Sequence, residues 1–317
     1  MTLRAWIIYG QKEAEKNCHY IDLYKKEGKK RGITFELLLT ERLTLGSDGT
    51  GCYLLYDRKR LENPDFAIVR TIYPLLSFHL EEMGIPIYNN SMVASICNDK
   101  ARTCQFLAAR GIPCIPTVFC RHTEVENRLY RKAEEEDNLD RDIGIHLTKD
   151  LSETVVKTVD GHGGSQVFLA SDQDGVLTKS GYSDFVIQPK VQGKGQDIRV
   201  YVIGNEIIAA VCRTVQKKRK GSADSSSSFG AAEDFRANFS LGGKVSLYTL
   251  SQAERELVKK ISSFFSFGMV GIDFLVDCNG EFIFNEIEDV VGARMLYQCS
   301  DINLVGRYLD YIITQVK

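Results

Sequence analysis

The sequence lacks the features that mark several large classes of protein. No apolar run approaches the roughly 20 residues that a membrane-spanning helix needs, and no signal-peptide core precedes the strand-like Ala5–Tyr9. The nine cysteines show no C-x-x-C spacing, so neither a zinc site nor a disulfide framework is indicated. A formal net charge of −2 gives no general attraction to nucleic acid or to an anionic membrane. We therefore expect a cytoplasmic enzyme with no membrane or nucleic-acid partner.

The apolar patterns predict an α/β chain in three parts. Residues 1–95 alternate strands and helices in the rhythm of a small parallel sheet. Residues 96–190 open with a helix capped by Asp99 and carry a glycine-rich loop between two strands. Residues 191–317 contain two hairpins and a closing helix. No internal repeat is visible.

Two acidic strands near the C-terminal end form one of these hairpins. The stretches Gly271–Val276 and Phe282–Asp289 alternate in polarity and flank a tight turn. Residues two apart on a strand share a face, so Asp273, Glu286 and Glu288 would lie together. Three carboxylates repel one another unless a cation separates them, and their oxygens suit Mg²⁺. The alternative is a solvated hairpin with a polar face.

A glycine-rich loop, residues 161–165, follows the predicted strand Thr154–Lys157. A lysine at a strand end can place its ammonium group on phosphate oxygens, while a glycine turn lets backbone N–H groups approach them. The loop is not a Walker motif, and no Gly-x-Gly-x-x-Gly follows the first strand. By itself, a Gly-Gly turn is more often an ordinary hairpin.

Three arginines of the third part could converge on one site. Arg199 lies in a predicted strand, Arg213 ends the next strand, and Arg236 follows a serine-rich stretch. Guanidinium groups suit a γ-phosphate and the charge that spreads over it during transfer. For each arginine alone, a surface ion pair with an acidic neighbour is the ordinary alternative.

Three polar stretches are predicted to be exposed. Residues 124–142 are highly charged and form an exposed helix or an insertion, and residues 221–228 are rich in serine and suit a mobile lid. The basic run 217–220 resembles a nucleic-acid patch, but one short run in a net-acidic chain argues against that function.

Taken together, these pieces occur in the order and spacing of a known family. The matching segments are Asn98–Lys100, Val155–Lys157, Gly161–Ser165, Val186–Lys190, Asp197–Arg199, Phe235–Asn238, Gly242–Gly243, Gly271–Asp273 and Asn285–Glu288. The chain resembles the ATP-grasp superfamily, most closely the RimK-like carboxylate–amine ligases, which are related to bacterial glutathione synthetase. The resemblance covers about residues 85–310. It implies an ATP-grasp fold preceded by a small N-terminal α/β domain, with ATP bound between the second and third parts.

The resemblance also implies roles for individual residues. Those that would contact ATP are Lys100, Lys157, Gly161, Gly163, Gly164, Ser165, Gln188, Pro189, Lys190, Asp197 and Asn238. The catalytic residues that would hold the transferring phosphate are Arg199, Arg213 and Arg236. The ligands of Mg²⁺ or Mn²⁺ would be Asp273, Glu286 and Glu288.

The sequence departs from the family at two places beside the substrate. Glu288 stands where these ligases usually have asparagine, and the usual Asn-x-Ser-Pro-Gly is here residues 288–294. Arg294 is a candidate for binding a substrate carboxylate bidentately, and so is Arg70 at the mouth of the first part. An ordinary structural ion pair is the alternative for both arginines.

The implied reaction activates a carboxylate of an amino acid or peptide as an acyl phosphate, which an amine then attacks to form an amide, ADP and phosphate. The alternatives are an ATP-grasp kinase and a non-catalytic nucleotide-binding protein. The expected partners are small carboxylate and amine substrates, and dimers and tetramers are common among relatives. Alanine at Asp273 or Glu286 is expected to abolish ADP formation without unfolding the chain.

Overall fold

A computed structural model describes residues 2–122, 154–159, 161, 167–169, 183–214 and 244–316 of the chain. These residues form a mixed α/β fold with four sheets. Across these ranges, no helix is both long and apolar enough to cross a membrane. The predicted charged insertion at 124–142, the basic run 217–220 and the serine-rich stretch 221–228 lie outside the described residues.

The first part of the chain is built on a parallel sheet, as predicted. Its strands and helices are β1 (Leu3–Tyr9), α1 (Gln11–Lys16), α2 (Cys18–Lys30), β2 (Ile33–Leu39), β3 (Leu43–Asp48), β4 (Gly51–Tyr56), β5 (Lys59–Arg60), β6 (Phe66–Val69), α3 (Pro74–Glu82), β7 (Ile87–Tyr88) and α4 (Ser91–Cys97). The parallel sheet has the order β2-β1-β6-β7. The last five residues of β1 are all buried, as expected for a parallel strand covered on both faces.

Two features of this part differ from the sequence prediction. The apolar spacing of residues 13–31 predicts a single amphipathic helix, but the structure has two. The chain leaves helical geometry at Asn17, whose side-chain amide donates to the carbonyl of Glu13 at 2.8 Å. Strands β3, β4 and β5 form an additional antiparallel sheet that was not predicted. Leu54 of this sheet packs into the core beside Trp6 and Leu80.

The middle part contains α5 (Lys100–Ala108) and the strands β8 (Val118–Cys120), β9 (Thr154–Thr158), β10 (Val167–Leu169) and β11 (Phe185–Pro189). The strands pair antiparallel in the order β10-β9-β11-β8. The predicted cap of α5 is present, since the Asp99 carboxylate accepts a hydrogen bond from the Arg102 N–H at 2.9 Å. This sheet carries Lys157 and Gln188 toward the rest of the molecule.

The third part is built on a five-stranded antiparallel sheet. Its elements are β12 (Gly193–Ile203), β13 (Glu206–Thr214), β14 (Lys244–Tyr248), α6 (Gln252–Ser262), β15 (Met269–Asp277), β16 (Phe282–Glu288), α7 (Arg294–Cys299) and α8 (Leu304–Val316). The sheet order is β14-β13-β12-β15-β16, so both predicted hairpins are present. Side chains such as Ile198 and Ile272 pack on one face against Val258 of α6. The opposite face carries charged residues.

The first and third parts share a hydrophobic core. Tyr24 of α2 lies edge-on against Tyr308 of α8, with ring centroids 6.5 Å apart. Beside this contact, Arg31 donates to Asp310 at 2.6 Å, and Asn303 donates to Glu27 at 2.9 Å. The packing sets the carboxyl ends of β1 and β6 beside the charged face of the five-stranded sheet. Each of the four sheets lies within one of the three predicted parts, whose boundaries as domains remain a prediction.

Candidate active site

A cavity of about 580 Å³ lies between the carboxyl ends of β1 and β6, the middle sheet and the charged face of the third sheet. Most of the predicted site residues line it. They are Arg70, Lys100, Lys157, Gly161, Gln188, Pro189, Lys190, Asp197, Arg199, Arg213, Glu286, Glu288 and Arg294. The remaining predicted residues that the structure does not describe are Gly163, Gly164, Ser165, Arg236 and Asn238. The sequence therefore identified residues from distant segments that the fold brings to one cavity.

Buried ion pairs form the floor of the cavity. Arg199 donates to both carboxylate oxygens of Asp273, each at 2.7 Å, and Arg213 donates to one of them at 2.7 Å. Arg213 also pairs with Asp197. Sheet register explains the arrangement, because Arg199 lies directly opposite Asp273 and Asp197 lies directly opposite Arg213. The strands thus hold two guanidinium groups side by side against one carboxylate.

Burial raises the pKa of both aspartates, whereas the nearby arginines lower it. For Asp273, burial favours the neutral form, but Arg199 and Arg213 outweigh it and lower its pKa to about 2. For Asp197, burial dominates over Arg213 and raises its pKa to about 7. The cluster therefore keeps a charged Asp273 between two charged arginines at neutral pH.

The three predicted metal carboxylates share a face, but Asp273 is not free to act as the sequence argument assumed. It is fully buried, and both its oxygens accept hydrogen bonds from arginine. Glu288 pairs with Arg199, and its side chain remains 39% exposed. Within the described ranges, no group of three His, Cys, Asp or Glu side chains is arranged to hold a metal ion. The repulsion among the carboxylates is relieved by arginines from neighbouring strands, which the hairpin sequence alone could not reveal.

Two of the carboxylates still suit a magnesium ion. Glu286 and Glu288 both line the cavity, and Glu286 makes no hydrogen bond or ion pair with another described residue. Mg²⁺ usually takes one or two protein carboxylates and completes its coordination with phosphate oxygens and water. The donor set at the end of β16 therefore fits Mg²⁺ bound together with a nucleotide.

The predicted lysines line the cavity from the middle part. Lys157 donates to the side-chain oxygen of Asn285 at 2.9 Å, and Lys100 donates to the carbonyl of Gly161. Burial lowers the pKa of Lys157, Glu286 opposes this effect, and the nearby Lys100 adds to it. A buried ammonium group whose charged form is disfavoured gains from the arrival of an anion.

Several polar atoms at the cavity are buried without a partner. Gln188 donates to the Thr117 hydroxyl at 2.8 Å, but its side-chain oxygen accepts no hydrogen bond within the described residues. One carboxylate oxygen of Asp197 and the Nε of Arg213 are also unpaired there. Buried polar groups are nearly always satisfied in folded proteins, so these atoms are candidates for hydrogen bonds to a bound polar ligand.

Arg70 and Arg294 lie at the opposite wall. Arg70 is only 6% exposed; it donates to the Val291 carbonyl at 2.9 Å and to the Tyr9 hydroxyl at 3.4 Å, and no carboxylate pairs with it in the described part of the chain. Arg294 is exposed at the start of α7 and forms no ion pair with a described residue. The expected alternative of a structural ion pair is therefore absent for both arginines within these ranges.

Sequence reasoning missed some residues of the site. Asn285, Tyr9, Glu13 and Asn17 also line the cavity. Asn285 belongs to a segment that resembles the family, but no site role was predicted for it. Its contact with Lys157 could not be predicted from the spacing of residues in the sequence. Tyr9 is the last residue of β1, and Glu13 and Asn17 follow it. The carboxyl end of parallel strands is where ligands commonly bind in α/β folds. That rule was the available signal.

Known proteins share the family and the fold of this chain. Residues 97–312 match the family model described as RimK-like ATP-grasp domain. A probable alpha-L-glutamate ligase of Legionella pneumophila strain Corby is 26% identical over 245 residues, covering 75% of this chain and 70% of that protein. The fold is similar to that of VanG D-Ala:D-Ser ligase from Enterococcus faecalis, with a TM-score of 0.69, 13% identity and complete coverage of both chains. It is also similar to that of the ATP-grasp ligase PsnB, solved with a precursor variant, Mg and ADP (TM-score 0.65, 15% identity, 99% of this chain and 98% of that chain).

Proposed function

Because the chain belongs to the RimK-like ATP-grasp family, we propose that it is an ATP-dependent ligase that joins a carboxylate to an amine. The products are an amide, ADP and phosphate. The observation that best supports this activity is the buried cluster of Arg199, Asp273 and Arg213 beneath a cavity that also contains Lys100 and Lys157. A concentration of fixed positive charge at one cavity suits phosphoryl transfer, in which catalysis consists largely of positioning and charge stabilisation.

In the proposed complex, the nucleotide lies between the middle and third parts of the chain. Lys100 and Lys157 contact its phosphates, together with the loop at 161–165. The buried oxygen of Gln188 accepts a hydrogen bond at the adenine end, and the backbone of residues 188–190 meets the adenine edge. Asp197 lies near the ribose, and Asn238 contacts phosphate or metal. The unpaired atoms of Gln188 and Asp197 support this orientation.

Glu286 and Glu288 hold Mg²⁺ or Mn²⁺ through their oxygens in this proposal. The metal ion neutralises phosphate charge and orients the phosphoryl group when it is bound. Asp273 has a different main task, since it fixes the orientation of Arg199 and Arg213. Asp273 lies directly opposite Glu286 in the sheet, so the two side chains share a face.

The reaction follows from the charges at the cavity. A substrate carboxylate attacks the γ-phosphorus of ATP, and ADP leaves. Arg199 and Arg213, with Arg236, stabilise the charge on the transferring group. The resulting acyl phosphate has a good leaving group, so an amine attacks its carbon and phosphate departs with an oxygen of the original carboxylate. The amine loses a proton as the amide forms.

The substrate in this proposal is an amino acid or peptide that carries a second, unreacted carboxylate. Arg70 and Arg294 support this specificity, because each lines the cavity without an acidic partner among the described residues. A bidentate carboxylate would pair with either guanidinium group. The relative named as an alpha-L-glutamate ligase is consistent with an acidic amino acid as one substrate.

Phosphate release in the presence of ATP, Mg²⁺ and pairwise pools of the amino acids tests this function. We expect release only with pools that contain a productive pair, and a product whose mass equals the two substrates minus water. Lys157→Met should abolish release, while Lys244→Met, at an exposed lysine of β14, should retain it. A product that gains a phosphoryl group would instead identify a kinase, and no ATP turnover with any pool would support a non-catalytic protein.

A further inference from the structure

A separate cavity of about 830 Å³ lies on the third part of the chain. Its walls are the tip of the β12–β13 hairpin, one side of α6 and one side of α8. None of the described residues that line it also lines the candidate active site. Its volume is within the range of ligand-binding clefts, yet the reaction proposed above uses none of it.

The hairpin wall of this cavity is an open edge of the sheet. Strand β13 pairs with β12 from Glu206 to Thr214, but with β14 only from Ala210 to Thr214. Residues 206–209 therefore have no strand on their outer side among the described residues, and we call them the β13 edge. The backbone N–H and C=O groups of such an edge are a template for another strand.

Local interactions direct the chain away from this edge at the end of β14. After Tyr248 the chain turns into α6, and the Tyr248 hydroxyl donates to the Glu254 carboxylate at 2.9 Å. Ser251 and Glu254 form a capping box that fixes the first turn of α6. The β13 edge is thus left facing the cavity.

The β13 edge lies between two helices. Ile207 packs in one hydrophobic core with Val258 of α6. Ile208 packs against a different core, which contains Ile312 of α8. The two helices thus cover opposite faces of the sheet. A strand added at the edge would lie between them, and its side chains would face α6 and α8 in turn.

Helix α6 brings positive charge to the cavity. Arg255 and Lys259 lie one turn apart on this helix, both are exposed, and neither forms an ion pair with a described residue. Arg255 donates from its Nε to the Leu250 carbonyl at 3.3 Å, which leaves its charge uncompensated. The α6 side of an added strand would therefore favour carboxylates.

The acidic residues in the lining already have basic neighbours. Asp310 accepts hydrogen bonds from Arg31 at 2.6 and 3.0 Å, and Glu206 lies 3.9 Å from Arg307. Neither compensates the two cations of α6. On the α8 side the lining also includes the ring of Tyr311, which suits an apolar side chain.

We propose that the β13 edge binds an extended acidic peptide segment as an added strand. The backbone of the segment pairs with residues 206–209. Its acidic side chains lie against Arg255 and Lys259, and its apolar side chains, at the alternate positions, lie on the α8 side. In strand addition the backbone hydrogen bonds give affinity and the alternate side chains give specificity. This inference does not depend on the ligase activity, because the two cavities share no described lining residue.

Fluorescence anisotropy with a short labelled peptide of alternating valine and glutamate tests the charge contacts. Lys259→Glu should weaken binding at least about tenfold, because it places like charges opposite each other. Lys260→Glu is the matched control: it makes the same change in net charge at the next residue, but Lys260 is exposed outside the cavity and donates to the Gly111 carbonyl at 3.2 Å. We expect this control to bind as the unaltered chain does.

Arg255→Glu is an independent second variant and should weaken binding as Lys259→Glu does. All three variants should keep the melting temperature of the unaltered chain, because the replaced side chains are exposed. A peptide that does not bind the unaltered chain would overturn the proposal. Equal losses of affinity in Lys259→Glu and Lys260→Glu would also overturn it.

Two methylated versions of the peptide test the strand pairing. Each carries methyl groups on one alternate set of backbone nitrogens, because only one set faces the partner strand in an antiparallel pair. We expect one version to lose at least about tenfold in affinity although it keeps every charge. If both versions bound as tightly as the unmethylated peptide, charge attraction without strand pairing would be the cause. An oligothymidine that bound more tightly than the peptide, with the same loss in Lys259→Glu, would identify a nucleic-acid site instead.

Discussion

Asp273 sits between two arginines, and this position determines what a substitution there would measure. Asn in its place would leave Arg199 and Arg213 buried and facing each other without the charge that separates them. Removing one partner of a buried ion pair costs about 3–5 kcal/mol. We therefore expect Asp273→Asn to lower the free energy of unfolding by about 3 kcal/mol in urea denaturation. A loss below about 1 kcal/mol would show that the cluster does not stabilise the fold.

This corrects the expectation from the sequence that alanine at Asp273 would remove activity without affecting folding. A fully buried carboxylate with three hydrogen bonds from arginine contributes to structure as well as to chemistry. Loss of activity in an Asp273 variant therefore does not by itself identify a metal ligand.

Glu286 offers a cleaner test of the proposed metal site. It faces the cavity and makes no hydrogen bond or ion pair with a described residue, so its removal disturbs little of the fold. We expect Glu286→Gln to reduce ATP turnover by about 10²–10³-fold, the usual effect of losing one charge-stabilising group, with an almost unchanged melting temperature. Glu281→Gln, at an exposed glutamate next to the same strand, is the control. Equal activity of the two variants would exclude Glu286 from the reaction.

At the residue scale, the sequence predicted which side chains matter but not how they pair. The residue types and their order were enough to select Arg199, Arg213 and Asp273. Their contact depends on the register of β12 against β15, across 74 residues of chain. No local pattern encodes that register. The sequence therefore predicted a metal ion as the partner of Asp273, whereas in the structure arginines neutralise its charge.

At the scale of elements, Gly271 of β15 leaves room for two side chains to pack closely on this strand. A Cβ there would lie 2.7 Å from Val291 and 3.2 Å from the side chain of Arg199. Alanine would therefore push Val291 away and also crowd Arg199, the partner of Asp273. We expect Gly271→Ala to lower the turnover number at least about tenfold through loss of positioning, measured by ATP-dependent phosphate release.

The neighbouring residue on the other face provides the control. Ile272 is buried in the core against α6, so Ile272→Val should cost about 1 kcal/mol of stability and leave turnover unchanged. If Gly271→Ala retained full turnover, the close approach of Arg199 to β15 would have no role in catalysis.

The predicted elements were most reliable where apolar periodicity was strong. The strands of the parallel sheet, helix α5 with its cap and both hairpins of the third part are all present. The sheet formed by β3, β4 and β5 was missed, since its strands are only partly buried and their polar positions weaken the pattern. The short helix α7 was also missed; at six residues it carries too little periodicity to recognise.

At the scale of the whole molecule, Glu27 joins the first part to the C-terminal helix. The Glu27 carboxylate accepts hydrogen bonds from Lys30, Asn303 and Arg31. That of Lys30 has the largest effect, and together they lower the pKa of Glu27 from 4.5 to about 2 although burial raises it. A carboxylate with a lowered pKa stabilises the fold above the pKa of the unfolded chain, and this contribution is lost as the pH falls toward 2. The attachment of the two parts is therefore sensitive to acid.

Glu27→Gln should destabilise the chain by about 2 kcal/mol at pH 7, where the charge-assisted hydrogen bonds are fully formed. The difference from the unaltered chain should shrink between pH 4.5 and pH 2, as followed by thermal unfolding. Glu36→Gln, at an exposed glutamate of β2, should show no such pH-dependent difference. A constant effect of Glu27→Gln across this range would exclude the ionised carboxylate as its cause.

The overall fold and the family could be predicted from the order of motifs, because ATP-grasp segments are specific in combination. The packing of the first part on α8 could not, since it depends on shape complementarity between Tyr24, Tyr308 and their neighbours. The same holds for the wall formed by Arg70: only the assembled fold shows that this arginine is buried without an acidic partner among the described residues.

In the proposed reaction, a substrate carboxylate attacks the γ-phosphorus of ATP before the amide forms. The most direct test supplies the chain with ATP, Mg²⁺ and the productive amino-acid pool, labelled with ¹⁸O in its carboxylates, and measures the released phosphate by mass spectrometry. We expect one ¹⁸O atom in each phosphate released, because the carboxylate oxygen leaves with it. Phosphate without ¹⁸O, or a stable phosphorylated product, would rule out an acyl phosphate intermediate.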